Sequence, residues 1–428
     1  MRASLQDVFR RHFDAYAEKR ALHPRERRAA WSIRGCYRPE MGAHMLSCPQ
    51  GHGSHVQYHA CRHRCCPKCA HGPRQRWLAA QLPKLLPCPH FHVVFTLPHE
   101  LLAMWERNRS RMAKVLFDAA RTSVLDLMGD ARHLGAMPGV LMALHTWGRN
   151  LSHHPHVHCL VTAGGLDKDG QWQATREKFL LPLQVLRTLF RGRVLGAVQQ
   201  GLADRSLQLP GGAAQAQWAA QYRQLWRSHW NIQINAPYEH GRGVAMYLAR
   251  YAKGGPLGSD RRLQLKDDRV AFSYLDHHDG QRKNMTLDSD AFIARVLWHA
   301  PPKGQHTVRH AGLYATARDL QHRLALRQLA PFVPPPPLKT MASPVPTTPA
   351  AALLEAKPPR CPTCSMTLQR RFLPPEMHQD GENSKDSVRR PRRQGPTRRC
   401  NGHLTARRPT PPPAEAARGA PGCQMPLS

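Results

Sequence analysis

Six of the chain's twelve cysteines (Cys36, Cys48, Cys61, Cys65, Cys66 and Cys69) crowd into one short segment, with five histidines among them (His44, His52, His55, His59 and His63). The segment is polar and rich in turn residues, too poor in apolar periodicity to fold by burial alone. A bound metal would have to stabilise it. In a reducing compartment such density points to a metal site rather than a disulfide framework. Cys66-Pro67-Lys68-Cys69 supplies two thiolates on one tight turn, half of a tetrahedral zinc site. The other half comes from upstream, where Cys48 and Cys61 are the best thiolates and His52 and Cys36 stand next. Four protein ligands leave no open position, so this Zn2+ is read as structural. Arg62, Arg64, Lys68, Arg74 and Arg76 surround it and suggest contact with DNA. The competing reading is a set of small buried cysteines with no metal.

The whole chain agrees with a polyanion partner. Lys and Arg number 62 against 29 acids, a formal charge of +33, which fits nucleic acid first and an anionic membrane second. No apolar run is long enough to span a bilayer. The N-terminus places Leu5, Val8, Phe9, Phe13 and Tyr16 at helical spacing and lacks the apolar stretch of a signal peptide, so it is expected to be an amphipathic helix of a cytoplasmic protein.

Along the chain, a helix is expected from about Pro73, then a strand at Phe91–Leu97, where Phe91, Val93, Phe95 and Leu97 alternate with smaller or polar residues. Helical sequence follows to Met128. Val140–Thr146 and His156–Val161 read as a β-hairpin, residues 175 to 230 as helical, Asn231–Asn235 as a short strand and Val244–Ala252 as a helix stopped by Gly254-Gly255-Pro256. Leu263–Leu287 reads as a meander, with a last helix through Trp298. From Val333 onward 20 of the chain's 38 prolines accumulate and arginine pairs recur, so residues 333–428 are expected to be a disordered basic tail. Cys361-Pro362-Thr363-Cys364 within it is half a zinc knuckle whose nearest partners, Cys400 and His403, are remote; no metal is expected there.

Two pairs of residues carry the chemistry. In His156-Val157-His158 the imidazoles share one face of a strand and can hold a divalent metal, while Val157 turns to the core. On a helix, Tyr247 and Tyr251 share a face, and two adjacent phenols can attack phosphodiesters in succession. Each signal is weak alone, since the chain holds 27 histidines, and Tyr247 and Tyr251 at helical spacing are also an ordinary packing pattern. Together, in a basic chain with a zinc segment, they suggest an enzyme that cuts and rejoins DNA.

From Trp31 to Leu324 the chain resembles the rolling-circle transposases of the insertion sequence 91 family, two-tyrosine nucleases with a His-hydrophobic-His motif. The likeness rests on Tyr58-His59-Ala60-Cys61-Arg62-His63-Arg64 with Cys65-Cys66-Pro67-Lys68-Cys69, on Phe91 to Glu100, on Leu144-His145-Thr146-Trp147-Gly148, and on His153 to Cys159. It continues through Tyr247-Leu248-Ala249-Arg250-Tyr251, Met285-Thr286-Leu287 and Arg309 to Leu313. Relatives often carry a second cysteine three residues after the one matching Cys48. Here Gly51 stands in that place and His52 follows as the substitute ligand. Ala252-Lys253-Gly254 likewise replaces the Thr-His-Arg that many relatives carry.

The resemblance implies an α+β protein: residues 1–80 an N-terminal helix and zinc-binding DNA-recognition domain, residues 85–325 a nuclease domain with a central antiparallel sheet flanked by helices, then the tail. It implies a catalytic Mg2+ or Mn2+ held by His156 and His158, with His145 the candidate third ligand because the hairpin brings its strand alongside. Structural Zn2+ would sit on Cys48, His52, Cys61, Cys66 and Cys69. Tyr247 and Tyr251 would be the nucleophiles, with Arg62, Arg64, Lys68, Arg250 and Lys253 contacting DNA. Substrates would be single-stranded or hairpin DNA at the ends of an insertion sequence, together with target DNA, in a nucleoid-associated prokaryotic protein. The alternatives are a replication initiator or relaxase with the same chemistry, and a zinc-dependent DNA-binding protein with none.

Overall fold

The computed structural model describes residues 2–176, 178–211, 215–252, 254–258, 263–276, 279–329 and 359–375. The first third runs β1 (Arg2–Ala3), α1 (Leu5–Glu18), α2 (Pro24–Gly35), β2 (Ala43–Ser47), β3 (Ser54–Tyr58), α3 (Pro67–Gln81), β4 (His90–Thr96), α4 (Leu102–Arg107) and α5 (Arg109–Gly129). The centre holds β5 (Met137–Trp147), β6 (His153–Leu166), β7 (Trp172–Ala174), α6 (Leu183–Ala203), α7 (Gln215–Arg227), β8 (Ile232–Ile234) and α8 (Arg242–Ala252). There follow β9 (Leu263–Lys266), β10 (Arg269–Leu275), β11 (Arg282–Asp288), α9 (Ser289–Leu297), β12 (Val308–Gly312), α10 (Asp319–Leu329) and β13 (Gln369–Leu373). The chain is α+β, as expected, and no described helix is long and apolar enough to cross a membrane.

The central sheet has the strand order β12-β5-β6-β4-β8, with β7 added beside β6, and every pairing is antiparallel. Strand alternation gives it two different faces. Phe91, Val93 and Phe95 of β4, Val140, Met142 and Leu144 of β5, and Val157, Cys159 and Val161 of β6 enter one large core with α4, α5, α6 and α7. The opposite face carries Leu141, Ala143 and Leu160, and on these lie Trp77 of α3 and Leu248 and Ala249 of α8. His145 of β5 and His156 and His158 of β6 belong to this second face.

A second sheet, β1-β9-β10-β11, is built from both ends of the sequence. The amphipathic α1 forms as its spacing predicts, closed at its N-terminus by reciprocal hydrogen bonds between Ser4 and Asp7. Leu5, Val8, Phe9, Phe13 and Tyr16 are buried, but with Val270, Phe272, Phe292, Ile293 and Val296, in a core shared by α1, α2, the meander and α9. The packing therefore does not part near residue 80: the first two helices belong with residues far downstream, because β1 pairs with β9.

The third sheet, β13-β2-β3, carries the cysteine segment. Residues 359–375, placed by composition in a disordered tail, form a tight turn followed by β13, which pairs antiparallel with β2. The remainder of that tail, residues 333–358 and 376–428, lies outside the described residues.

Candidate active site and metal centres

Register decides which side chains meet on the second face of the central sheet. His145 of β5 stands directly opposite His156 of β6, and Ala143 stands opposite His158. The three rings gather, with centroids 5.2 Å apart for His145–His156, 4.1 Å for His145–His158 and 4.7 Å for His156–His158. One ligand nitrogen from each lies within 4.8 Å of the others. Burial, reinforced by the neighbouring imidazoles, pushes His156 down to about 3 and His145 and His158 well below the ordinary histidine value. All three are therefore neutral at physiological pH, the form that binds metal.

The partners of these rings fix which nitrogen is offered. His156 Nδ1 is 2.5 Å from the His154 carbonyl. A carbonyl only accepts, so Nδ1–H donates and the Nε2 lone pair is left for a ligand role. His158 Nδ1 is 2.7 Å from His92 Nε2, and the Asn235 side-chain Nδ2–H donates to His92 Nδ1 (3.1 Å). With Nδ1 accepting from that amide, His92 carries its proton on Nε2 and donates to His158 Nδ1, which leaves the His158 proton on Nε2. For His158 to offer Nε2 to a metal, the His92 proton must move to Nδ1 and the amide must turn its oxygen to meet it. Sequence reading took His92 only for a polar residue in an alternating strand and Asn235 only for a strand end. Their signal was position: His92 lies one strand over on the same face. Three neutral nitrogens suit a divalent transition ion better than Mg2+, which takes oxygen ligands. Of the two expected ions, the residues fit Mn2+ more naturally.

The helix carrying the two tyrosines lies on this face. Leu248 and Ala249 seat α8 against Leu141, Ala143 and Leu160, residues that alternate with the three histidines along β5 and β6. Tyr247 and Tyr251 are one turn apart on α8. The side chains of Tyr247, Arg250 and Tyr251, and Lys253 altogether, lie outside the described residues.

The expected zinc ligands separate into two groups. Cys61, Cys66 and Cys69 meet Cys36, with Cys69 Sγ 3.4 Å from Cys36 Sγ and 3.6 Å from Cys61 Sγ. Regular tetrahedral coordination at a zinc–sulfur length of about 2.3 Å puts sulfurs about 3.8 Å apart, close to these separations. They are far beyond a disulfide bond of about 2 Å, and all four cysteines are free. Hydrogen bonds from Cys36, Cys61 and Cys66 hold the Cys69 thiol well below its ordinary value, while the same contacts push Cys61 and Cys66 up. Four thiols this close cannot all ionise unless a cation joins them, and the donor set fits zinc.

Cys48 and His52, grouped by sequence reading with Cys61, Cys66 and Cys69, are elsewhere. Tyr37 N–H donates to the His59 carbonyl, so Cys36 and Cys61 lie at the base of the β2–β3 hairpin. Cys48 follows the five residues of β2, at the far tip. A strand of that length spans about 17 Å, too far to share one ion. At the tip, Cys48 and His52 meet Cys361 and Cys364.

The basic residues also divide. The Arg64 guanidinium donates to the Gly254 carbonyl (3.1 and 3.0 Å) and to the Thr307 hydroxyl (2.9 Å), fastening the cysteine segment to the chain just after α8. Such a tethered arginine serves the fold. Lys68 is exposed and donates to Gln6 Oε1 (2.6 Å), and Arg62 is exposed, on a left-handed backbone (φ 54°).

Comparison with known proteins agrees with these halves. Residues 8–97 match the family described as "Transposase zinc-binding domain", and residues 139–321 match the one described as "Putative transposase". The chain is 34% identical to "Putative transposase y4qJ" of Sinorhizobium fredii over 78% of this chain and 86% of that protein. It is 31% identical to "Transposase for insertion sequence element IS801" of Pseudomonas savastanoi pv. phaseolicola over 78% of each. No solved structure matches it.

Proposed function

The chain belongs to the transposases of the insertion sequence 91 family, and from that premise we propose that it nicks and transfers single-stranded DNA through a 5′-phosphotyrosine intermediate, driving rolling-circle transposition. The observation that carries the proposal is the shared face: α8, with Tyr247 and Tyr251, packs on the side of the central sheet that gathers His145, His156 and His158. A divalent ion on those imidazoles would polarise the scissile phosphate and offset charge developing in the transition state.

The chain's own groups do the rest. One tyrosine oxygen bonds to phosphorus as the bond to the 3′ oxygen breaks. The 3′ oxygen leaves with the electron pair, takes a proton and becomes a free 3′-hydroxyl. The 5′-phosphate stays on the tyrosine, so the bond energy is kept and a hydroxyl can later attack it without ATP. The second tyrosine repeats the step on another strand while the first holds its end, which is strand transfer. A phenol has an ordinary pKa of about 10 and needs a neighbouring cation to become a good nucleophile. The substrate is unpaired or hairpin DNA at the element's ends and in the target, since the attacking oxygen must reach an open backbone. A surplus of 33 positive charges supports such a partner, and with it a place at the nucleoid.

The test is incubation of the full chain with single-stranded DNA from the element's ends and Mn2+ or Mg2+, followed by denaturing electrophoresis. The expected result is a covalent protein–DNA species, absent from Tyr247→Phe/Tyr251→Phe and after chelation, while DNA retention by the double variant is unchanged. An adduct that survives in the double variant would refute the assignment of the nucleophiles.

A further inference from the structure

We propose that Cys48, His52, Cys361 and Cys364 hold a second Zn2+, distinct from the one at Cys36, Cys61, Cys66 and Cys69, and that this ion clips a C-terminal knuckle onto the N-terminal hairpin.

The geometry is that of a tetrahedral site. Cys48 Sγ lies 3.4 Å from Cys364 Sγ and 3.5 Å from His52 Nδ1, and Cys361 Sγ lies 3.9 Å from the same nitrogen. The edges expected of a zinc tetrahedron with three sulfurs and one nitrogen are about 3.5 to 3.8 Å. All four ligand atoms lie within 4.8 Å of one another.

The two halves are turns of the same length, made by unrelated sequences. In one, Cys48 N–H donates to the Gly53 carbonyl (3.0 Å); in the other, Cys361 N–H donates to the Met366 carbonyl (2.8 Å), again five residues on. Each turn then reverses on a left-handed residue, Gly51 (φ 76°) and Ser365 (φ 57°). Both aim backbone N–H groups at sulfur: Gln50 donates to Cys48 Sγ (3.4 Å), and Thr363 and Cys364 donate to Cys361 Sγ. Donors turned on sulfur are what a thiolate requires. Two such knuckles facing each other across a three-stranded antiparallel sheet make a zinc ribbon, with one of its knuckles supplied from more than three hundred residues away.

Burial does not account for the docking. Between Pro359 and Pro375 the only buried residue is Cys361 itself. Four of the five residues of β13, including Arg370, Arg371 and Phe372, are exposed. A strand with so little apolar area to hide would not repay the loop closure that brings it to β2. A shared ion would, since structural zinc contributes its binding free energy to folding.

The proposal is independent of the strand-transfer reading, and its test is a metal count. The full chain is purified in the His156→Ala/His158→Ala background, so that the imidazole triad contributes nothing, and zinc is measured per chain. Two equivalents are expected, falling to one in Cys361→Ser/Cys364→Ser and to one in Cys36→Ser/Cys69→Ser. His52→Cys is expected to keep both. A cobalt titration of the chain with all eight ligands intact is expected to show two equivalents, and a separate titration of His52→Cys to show a stronger thiolate-to-cobalt absorption. One equivalent in the parent chain, or the same zinc count after Cys361 and Cys364 are replaced, would overturn the site.

Discussion

At the scale of single residues, the candidate catalytic site is governed by where three protons sit. His156 is set by a carbonyl, but His158 depends on a relay through His92 to Asn235. Asn235→Ala removes the amide whose oxygen, once turned, would hold the proton on His92 Nδ1 and so free His158 Nε2 for a metal. Mn2+ affinity, measured by calorimetry on the full chain, is expected to fall about 10- to 100-fold. Asn235→Asp, whose carboxylate only accepts, is expected to keep or tighten it. Equal loss in both variants would reduce the relay to mere packing. The paired histidines were legible because strand alternation is a strict rule, and His145 followed from the hairpin that carries them. His92 and Asn235 were not, because a polar residue on a strand looks the same in sequence whether it faces water or orients a neighbour.

At the scale of elements, the zinc segment and the tyrosine helix are pinned together at one point. A Cβ on Gly255 would lie 2.8 Å from Cys65 Cα and 3.0 Å from the Arg64 carbonyl oxygen. Sequence reading gave this glycine the task of ending a helix; the structure adds a second, the close approach of two backbones. Gly255→Ala is expected to destabilise the chain by about 1–3 kcal/mol, read by chemical denaturation, because backbone cannot step aside as a side chain can. Arg64 spans the same junction, so the disturbance is expected to reach the end of α8. The cysteine segment itself was legible as a metal-binding element, and its ligand pairing was not. Whether Cys36 or Cys48 joins Cys61, Cys66 and Cys69 depends on which end of a hairpin each occupies, and spacing along the chain does not encode that.

At the scale of the whole molecule, the layers share a sensitivity to acid. His90, buried in the central sheet, donates from Nδ1 to the Cys88 carbonyl (2.8 Å) and accepts at Nε2 from the Tyr314 hydroxyl (2.6 Å). His299, also buried, has Nδ1 3.1 Å from the Thr146 hydroxyl. Burial pushes His90 down to about 4 and His299 to about 3. The unfolded chain takes up these protons near pH 6.5, and the folded chain only below those lower values. Stability is therefore complete above about pH 6.5 and declines as pH falls towards 4, by about 1.4 kcal/mol per pH unit for each group. Denaturation midpoints measured from pH 7.5 to 4.5 are expected to fall steadily, and less steeply in His90→Gln.

Much of the order of elements was readable from periodicity and turn residues, down to the meander and the helix after it, but β2 and β3 in the turn-rich cysteine segment, the short β7, and β12 and α10 near the end were not. The long-range closures were not: β1 onto β9 and β13 onto β2 are edge pairings of short strands, which leave no periodic trace. One of them has a consequence in time. Part of the apolar face of α1 is met at once by α2, yet the larger side chains of that core, from Leu257 to Leu297, come more than two hundred residues later. At about 5–20 residues per second a ribosome needs roughly ten to fifty seconds to supply them. For that interval Phe9, Phe13 and Tyr16 stand on a nascent chain with only α2 for cover, so a helix made early is among the last to find its place.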